Sequence, residues 1–187
     1  MLANYLRQFD ALVADRLAQP RALAVLAALF LLFTWGVFPA LAAWRAPVSG
    51  GQTMLDTRFS YSASEAQATL AVMGEEGRWR YLVTELSADL LYPVIACLLL
   101  GALIAAAWRR ARGESWNRRL ARLPLVYLLA DYSENAGVTA MLVNYPAQMA
   151  SAAQMTALFT TVKWALVAAC VLVVAGALLA RARGGAA

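Results

Sequence analysis

Four stretches of this chain stay apolar for long enough to be helices that cross a membrane, and what lies between them differs each time. The stretches run roughly over residues 22–44, 82–108, 123–145 and 155–180. A hydrocarbon core about 30 Å thick takes about 20 residues of helix, which each stretch supplies. Ahead of them, Leu2, Tyr5, Leu6, Phe9, Leu12, Val13 and Leu17 recur at helical spacing, with Arg7, Asp10, Asp15 and Arg16 opposite and Pro20 closing the segment. That pattern predicts an amphipathic helix at the membrane surface, or equally an ordinary helix packed on the bundle. It lacks the short basic start and continuous apolar run of a cleavable signal.

The connection between the first two spans, about 40 residues long, has structure of its own. SGGQT at 49–53 reads as a flexible turn. Ser62 and Glu65 then have capping-box spacing, followed by a stripe of Ala66, Leu70 and Met73 that Gly74 ends. This predicts a short helix over 62–73, with a break at Gly77 before span two. The fold class expected is all-α: a four-helix integral membrane bundle, with an N-terminal interfacial helix and a short loop helix, forming one domain over 1–187.

Composition agrees. Of 187 residues, 62% are hydrophobic and 14% charged, against about 45–50% and a quarter in soluble domains. The net charge of +5 comes from arginines in particular places. Arg7, Arg16 and Arg21 precede span one, Arg109, Arg110, Arg112, Arg118, Arg119 and Arg122 fill the 109–122 loop, and Arg181 and Arg183 follow span four. All three segments fall on one side of a four-span chain, which the positive-inside rule makes cytoplasmic. On the other side Arg45, Arg58, Arg78 and Arg80 are offset by Asp56, Glu65, Glu75 and Glu76. The expected location is a bacterial cytoplasmic (inner) membrane, multi-pass, with both termini inside. The expected partners are membrane lipids and not nucleic acid. Histidine is absent, and Cys97 and Cys170 lie in apolar runs as core residues. No metal site or cofactor is expected from them.

The spans carry chemistry that lipid does not tolerate. Asp89, Asp131, Glu134 and Lys163, if each faced lipid alone, would together cost on the order of 10 kcal/mol. They must face inward, and some must pair. Lys163 is the only lysine, and the 1.5 Å rise per residue puts it nearest in depth to Glu134 and Asn135. Asp131 shares a helix face with Glu134 and Asn135. Glu85, Asp89 and Tyr92 form a similar stripe in span two, and Thr156, Thr160 and Lys163 one in span four. The candidate binding residues are therefore Asp89, Tyr92, Asp131, Glu134, Asn135 and Lys163. They either lock the helix register or line a polar site open to the outer side; a surplus of acids over the one lysine favours the site. Separately, Cys97, Gly101 and Ala105 make a small-residue face suited to close helix packing.

The segments DTRFSYSASEAQATLAVMGEEGRWRYLVTELSADLLYP, LADYSENAGVTAMLVNYP and FTTVKW, over about residues 55–165, resemble an uncharacterised family of four-span bacterial integral membrane proteins. The shared pattern is Y-S-x-x-E-A, G-x-x-G-R-x-x-Y, D-x-x-E-N and K-W; Met73 stands where the pattern has Leu. The resemblance implies the architecture and no activity. Three functions fit the residues: binding of a lipid-like or amphipathic small molecule, with or without a reaction; an accessory subunit of a larger membrane complex; and, least, a transporter using Glu134 as a proton site, since inverted repeats are not evident. No phosphate loop or nucleophile triad narrows the choice.

The arginine asymmetry makes a direct prediction. A cysteine introduced at Gly50 or Gly51 should react with an impermeant thiol reagent in intact cells, and one introduced at Arg110 should not. Reaction at Arg110 would invert the topology.

Overall fold

In the computed structural model, residues 1–112 and 117–184 are described. Within the arginine-rich loop expected at 109–122, residues 113–116 lie outside the described residues. Among those described, every regular element is helical. The helices are α1 (Leu2–Ala11), α2 (Pro20–Leu32), α3 (Phe38–Arg45), α4 (Ala63–Val72), α5 (Gly74–Glu85), α6 (Ala88–Arg112), α7 (Leu123–Val143) and α8 (Ala150–Gly184).

Among the described residues, three helical stretches, Pro20–Val48, Gly74–Arg112 and Ala150–Arg183, are long and apolar enough to cross a membrane. The remaining expected span, α7, has 21 residues, or about 32 Å of helix. Asp131, Glu134 and Asn135 pull its hydropathy below that of the other three.

Prolines decide where the first stretch bends. Pro20 opens α2, where its missing N–H is no loss. Pro39 cannot bond the carbonyl of Trp35, and the turn Phe33–Val37 ahead of it widens to π geometry. The expected break at Gly77 is not found: α5 runs through it. Gly77 is needed instead for contact, because a Cβ there would overlap the Val48 carbonyl. The interruption falls at Leu86–Ser87, between α5 and α6.

The chain divides into two units. One comprises Met1–Phe30, Val94–Leu128 and the chain from Ala165. In it a π-type turn at Leu12–Leu17 buries Val13 and Ala14 against Ile104, Ala105, Ala121 and Cys170. Cys97 packs with Ala96 and Tyr127, and both cysteines are free and buried, as core residues should be. Arg122 grips both Asp10 carboxylate oxygens, at 2.8 and 2.5 Å, tying α1 down. The N-terminal helix thus packs one face on its own unit.

The other unit comprises Leu31–Pro93 and Leu129–Trp164. Its core joins Met54 and Leu55 of the loop, Leu70 of α4, Tyr81 of α5 and Val138 and Met141 of α7. The expected loop helix is present as α4. Ser62 caps it by accepting from the Glu65 N–H at 3.2 Å, while the Ser62 N–H donates to Glu65 Oε2 at 2.6 Å. Gly74, at φ 64°, turns the chain into α5.

The Ser62 N–H and hydroxyl, both donating to the Glu65 carboxylate, hold its pKa below the ordinary value of 4.5. The folded pKa is depressed, so the cap's contribution is complete above pH 4.5 and is lost as pH falls through the lower folded value. Hydrogen exchange in the first turn of α4, corrected for intrinsic rates, should show that dependence. Ser62→Ala should weaken the turn by about 1 kcal/mol. Protection insensitive to the substitution would mean that the box contributes nothing.

Candidate functional site

Every residue of the site belongs to the second unit, and a glycine makes its geometry possible. A Cβ on Gly137 of α7 would overlap Thr156 of α8. Glycine there lets the two backbones approach, so that one turn away Glu134 reaches α8. Lys163 donates to Glu134 Oε2. Thr160 Oγ1 lies 2.5 Å from Glu134 Oε1 and 3.0 Å from the Thr156 carbonyl; having one proton, it serves the carboxylate. Lys163 also reaches the Asp56 carbonyl at 3.3 Å. Glu134 is fully buried and Lys163 is 8% exposed. This is a satisfied buried ion pair, between the two groups whose depths agree in the sequence.

A second device supports the same place from α6. Pro93 has no N–H to give the Asp89 carbonyl four residues back. Asn135 Nδ2 donates to that carbonyl instead, at 3.0 Å. The Tyr132 hydroxyl donates to the neighbouring Leu90 carbonyl at 2.7 Å. A buried backbone acceptor must find a donor, and α7 supplies one where proline removed it.

Asp56, Glu85 and Asp89 form the acidic part. One carboxylate oxygen from each lies within 4.8 Å of the other two. Glu85 is 1% exposed, Asp56 and Asp89 9%. The Tyr81 hydroxyl donates to Asp56 Oδ1 at 2.8 Å and accepts from the Leu55 N–H at 2.8 Å. Both Glu85 oxygens and Asp89 Oδ2 are buried with no hydrogen-bond partner among the described residues. Two unit charges 4.8 Å apart repel by about 3.5 kcal/mol at an effective dielectric near 20. Three such pairs come to on the order of 10 kcal/mol, comparable to a domain's whole stability. The triad does not hold three uncompensated charges.

Of the six residues singled out in the sequence, Glu134 and Lys163 meet, and Asn135 and Asp89 meet through the Asp89 carbonyl. Asp131 is buried at 5% exposure. Tyr92 instead sits among Phe33 and Phe38, its hydroxyl 3.5 Å from Thr34 Oγ1. Asp56 corrects the sequence reading. Expected to offset arginines in the loop, it is drawn inside because Met54 and Leu55 beside it anchor in the core. Tyr81 and Asp56 are the residues whose part in the site was missed, and Glu85 was placed on the polar stripe of span two but not among the candidates.

Two cavities stand out among the described residues of this unit. One, of about 500 Å³, is lined by small and amide residues such as Ala63, Gln67, Met141 and Gln148, and by no ionisable group. The other, of about 320 Å³, has Ala42, Met54 and Met73 together with Arg45, Thr57 and Tyr81 in its wall. None of the six sequence candidates lines either cavity. Tyr81 is the connection, since it lines the cavity and its hydroxyl donates to Asp56. Set against family models, curated proteins and solved structures, the chain matches none.

Breaking the pair leaves a buried charge alone. Lys163→Met should destabilise the protein by about 3–5 kcal/mol in denaturant titrations in detergent, and adding Glu134→Gln should recover most of that loss. Equal stability of the single and double variants would show that the pair is not coupled.

Proposed function

We propose that the chain is a four-span integral membrane protein of the bacterial inner membrane, both termini cytoplasmic, that binds a lipid-like or amphipathic small molecule in the cavity bordered by Arg45 and Tyr81. The stretch that completes the four spans in this reading is α7, third in chain order, whose Asp131, Glu134 and Asn135 are buried and whose apolar residues, such as Leu129 and Val143, face outward at 67% and 63% exposure. Arginine placement supports the orientation, and the resemblance of the motifs to those of four-span bacterial membrane proteins supports the four-span architecture.

The observation that carries the binding reading is the mixed wall of the 320 Å³ cavity. Its volume lies at the lower end of the range for small-molecule sites, about 300–1,000 Å³, in which apolar walls bind and a few polar groups orient. An apolar portion fits against Ala42, Met54 and Met73, and a polar head against Arg45, Thr53 and Thr57. Arginine's planar fork suits a phosphate or carboxylate head. The Glu134–Lys163 pair is then the lock that holds α7 to α8, and the site it supports is the acidic triad and the cavity beyond Tyr81. No reaction is assigned.

The test is native mass spectrometry of the protein released from nanodiscs. Wild type should carry one amphipathic molecule per chain. Ala42→Phe, which fills the cavity from an exposed position, should lose it while remaining folded. The same bound species in both would refute the cavity as the site. A stoichiometric partner protein with no bound small molecule would favour an accessory subunit instead.

A further inference from the structure

We propose that Asp56, Glu85 and Asp89 bind one hard divalent cation, of the Mg²⁺, Mn²⁺ or Ca²⁺ class. The proposal does not rest on what occupies the cavity beyond Tyr81.

Charge is the first ground. Three carboxylates bring oxygens within 4.8 Å of one another, and the unit's own cations are engaged elsewhere. Lys163 is bonded to Glu134. Arg45 bonds the Leu41 carbonyl, Arg58 the Thr53 carbonyl and Thr69, Arg78 the Leu70 carbonyl, and Arg80 Glu76. These four are all the arginines that the unit contains. A dication at the triad leaves one net negative charge there, beside the Lys163 ammonium that touches the Asp56 carbonyl.

The second ground is the unpartnered Glu85 side chain. It is 99% buried on its 1% exposure and is aimed into the triad, with neither oxygen hydrogen-bonded among the described residues. Asp89 Oδ2 is in the same condition. A carboxylate kept only for packing would be expected to find a donor; Glu134, in the same unit, finds two. Asp56, by contrast, is held in place by the Tyr81 hydroxyl, as outer partners orient metal ligands.

Donor type sets the class. All three ligands are carboxylates, histidine is absent from the chain, and neither cysteine belongs to this unit. Oxygen-only sets suit Mg²⁺, Ca²⁺ and Mn²⁺ rather than Zn²⁺ or Cu²⁺. The ligands come from the loop, the end of α5 and the first turn of α6, on either side of the interruption at Leu86–Ser87.

The experiment titrates Mn²⁺ into full-length, chelator-stripped protein in nanodiscs of zwitterionic lipid, reading free Mn²⁺ by its paramagnetic resonance signal. One saturable site per chain is expected, with Kd below about 1 mM and displaced by Ca²⁺. Glu85→Gln and Asp89→Asn should each weaken it by at least about tenfold, and Glu65→Gln, outside the triad, should leave it unchanged. Tyr81→Phe keeps all three carboxylates and should still weaken binding about tenfold, which locates the site even where a carboxylate variant fails to fold. The absence of a one-per-chain site in wild type overturns the proposal, as does affinity unaltered in Tyr81→Phe or in a folded triad variant. Ala42→Phe should bind Mn²⁺ normally, so loss of the cavity's occupant and loss of the cation are separate results.

Discussion

Glu134 and Lys163 set the terms for the unit around them. A carboxylate with no solvent contact and an ammonium with little are tolerable only together, because either alone would keep its desolvation cost without its attraction. Holding them together requires α7 and α8 to run close, which Gly137 permits by admitting Thr156. It also requires Thr160 to face Glu134, and the loop to fold inward far enough for the Asp56 carbonyl to meet the lysine. One ion pair therefore fixes a helix contact, a rotamer and a loop path.

The loop in turn builds what the pair does not need. Met54 and Leu55 carry Asp56 inward, Tyr81 receives it, and Glu85 and Asp89 complete a triad of acids. A satisfied pair is a sufficient helix lock without these residues. Their repulsion would count against folding unless protons or a bound cation neutralise part of the charge, and the cation proposed above is placed at the triad and not at the lock for that reason.

What the sequence revealed depended on how local each cause was. The capping box at Ser62 and Glu65 was legible because both partners lie in one turn. The Glu134–Lys163 pairing was legible because a lone lysine at a computable depth has few partners. Asn135 was half legible: its burial followed from its span, and its partner could have been found from Pro93, which strands a carbonyl four residues back. Asp56 was hidden, because a loop residue's position depends on which neighbours anchor in a distant core. Gly77 was misread because glycine serves two ends, breaking helices and admitting close neighbours, and only the nearby Val48 carbonyl tells which.

The convergence of the loop on α5 and α6 is the claim on which the site stands, and bridging tests it most directly. In a chain with Cys97 and Cys170 replaced by alanine, cysteines at Asp56 and Asp89 should be joined by a short thiol-bridging reagent, because carboxylate oxygens of the two residues lie within 4.8 Å of each other. Rapid bridging in the membrane-embedded protein, with poor labelling by a bulky impermeant maleimide, is the expected result. Free reaction of the cysteine at Asp56 with that maleimide, and no bridge to the one at Asp89, would place the loop in water and contradict the site.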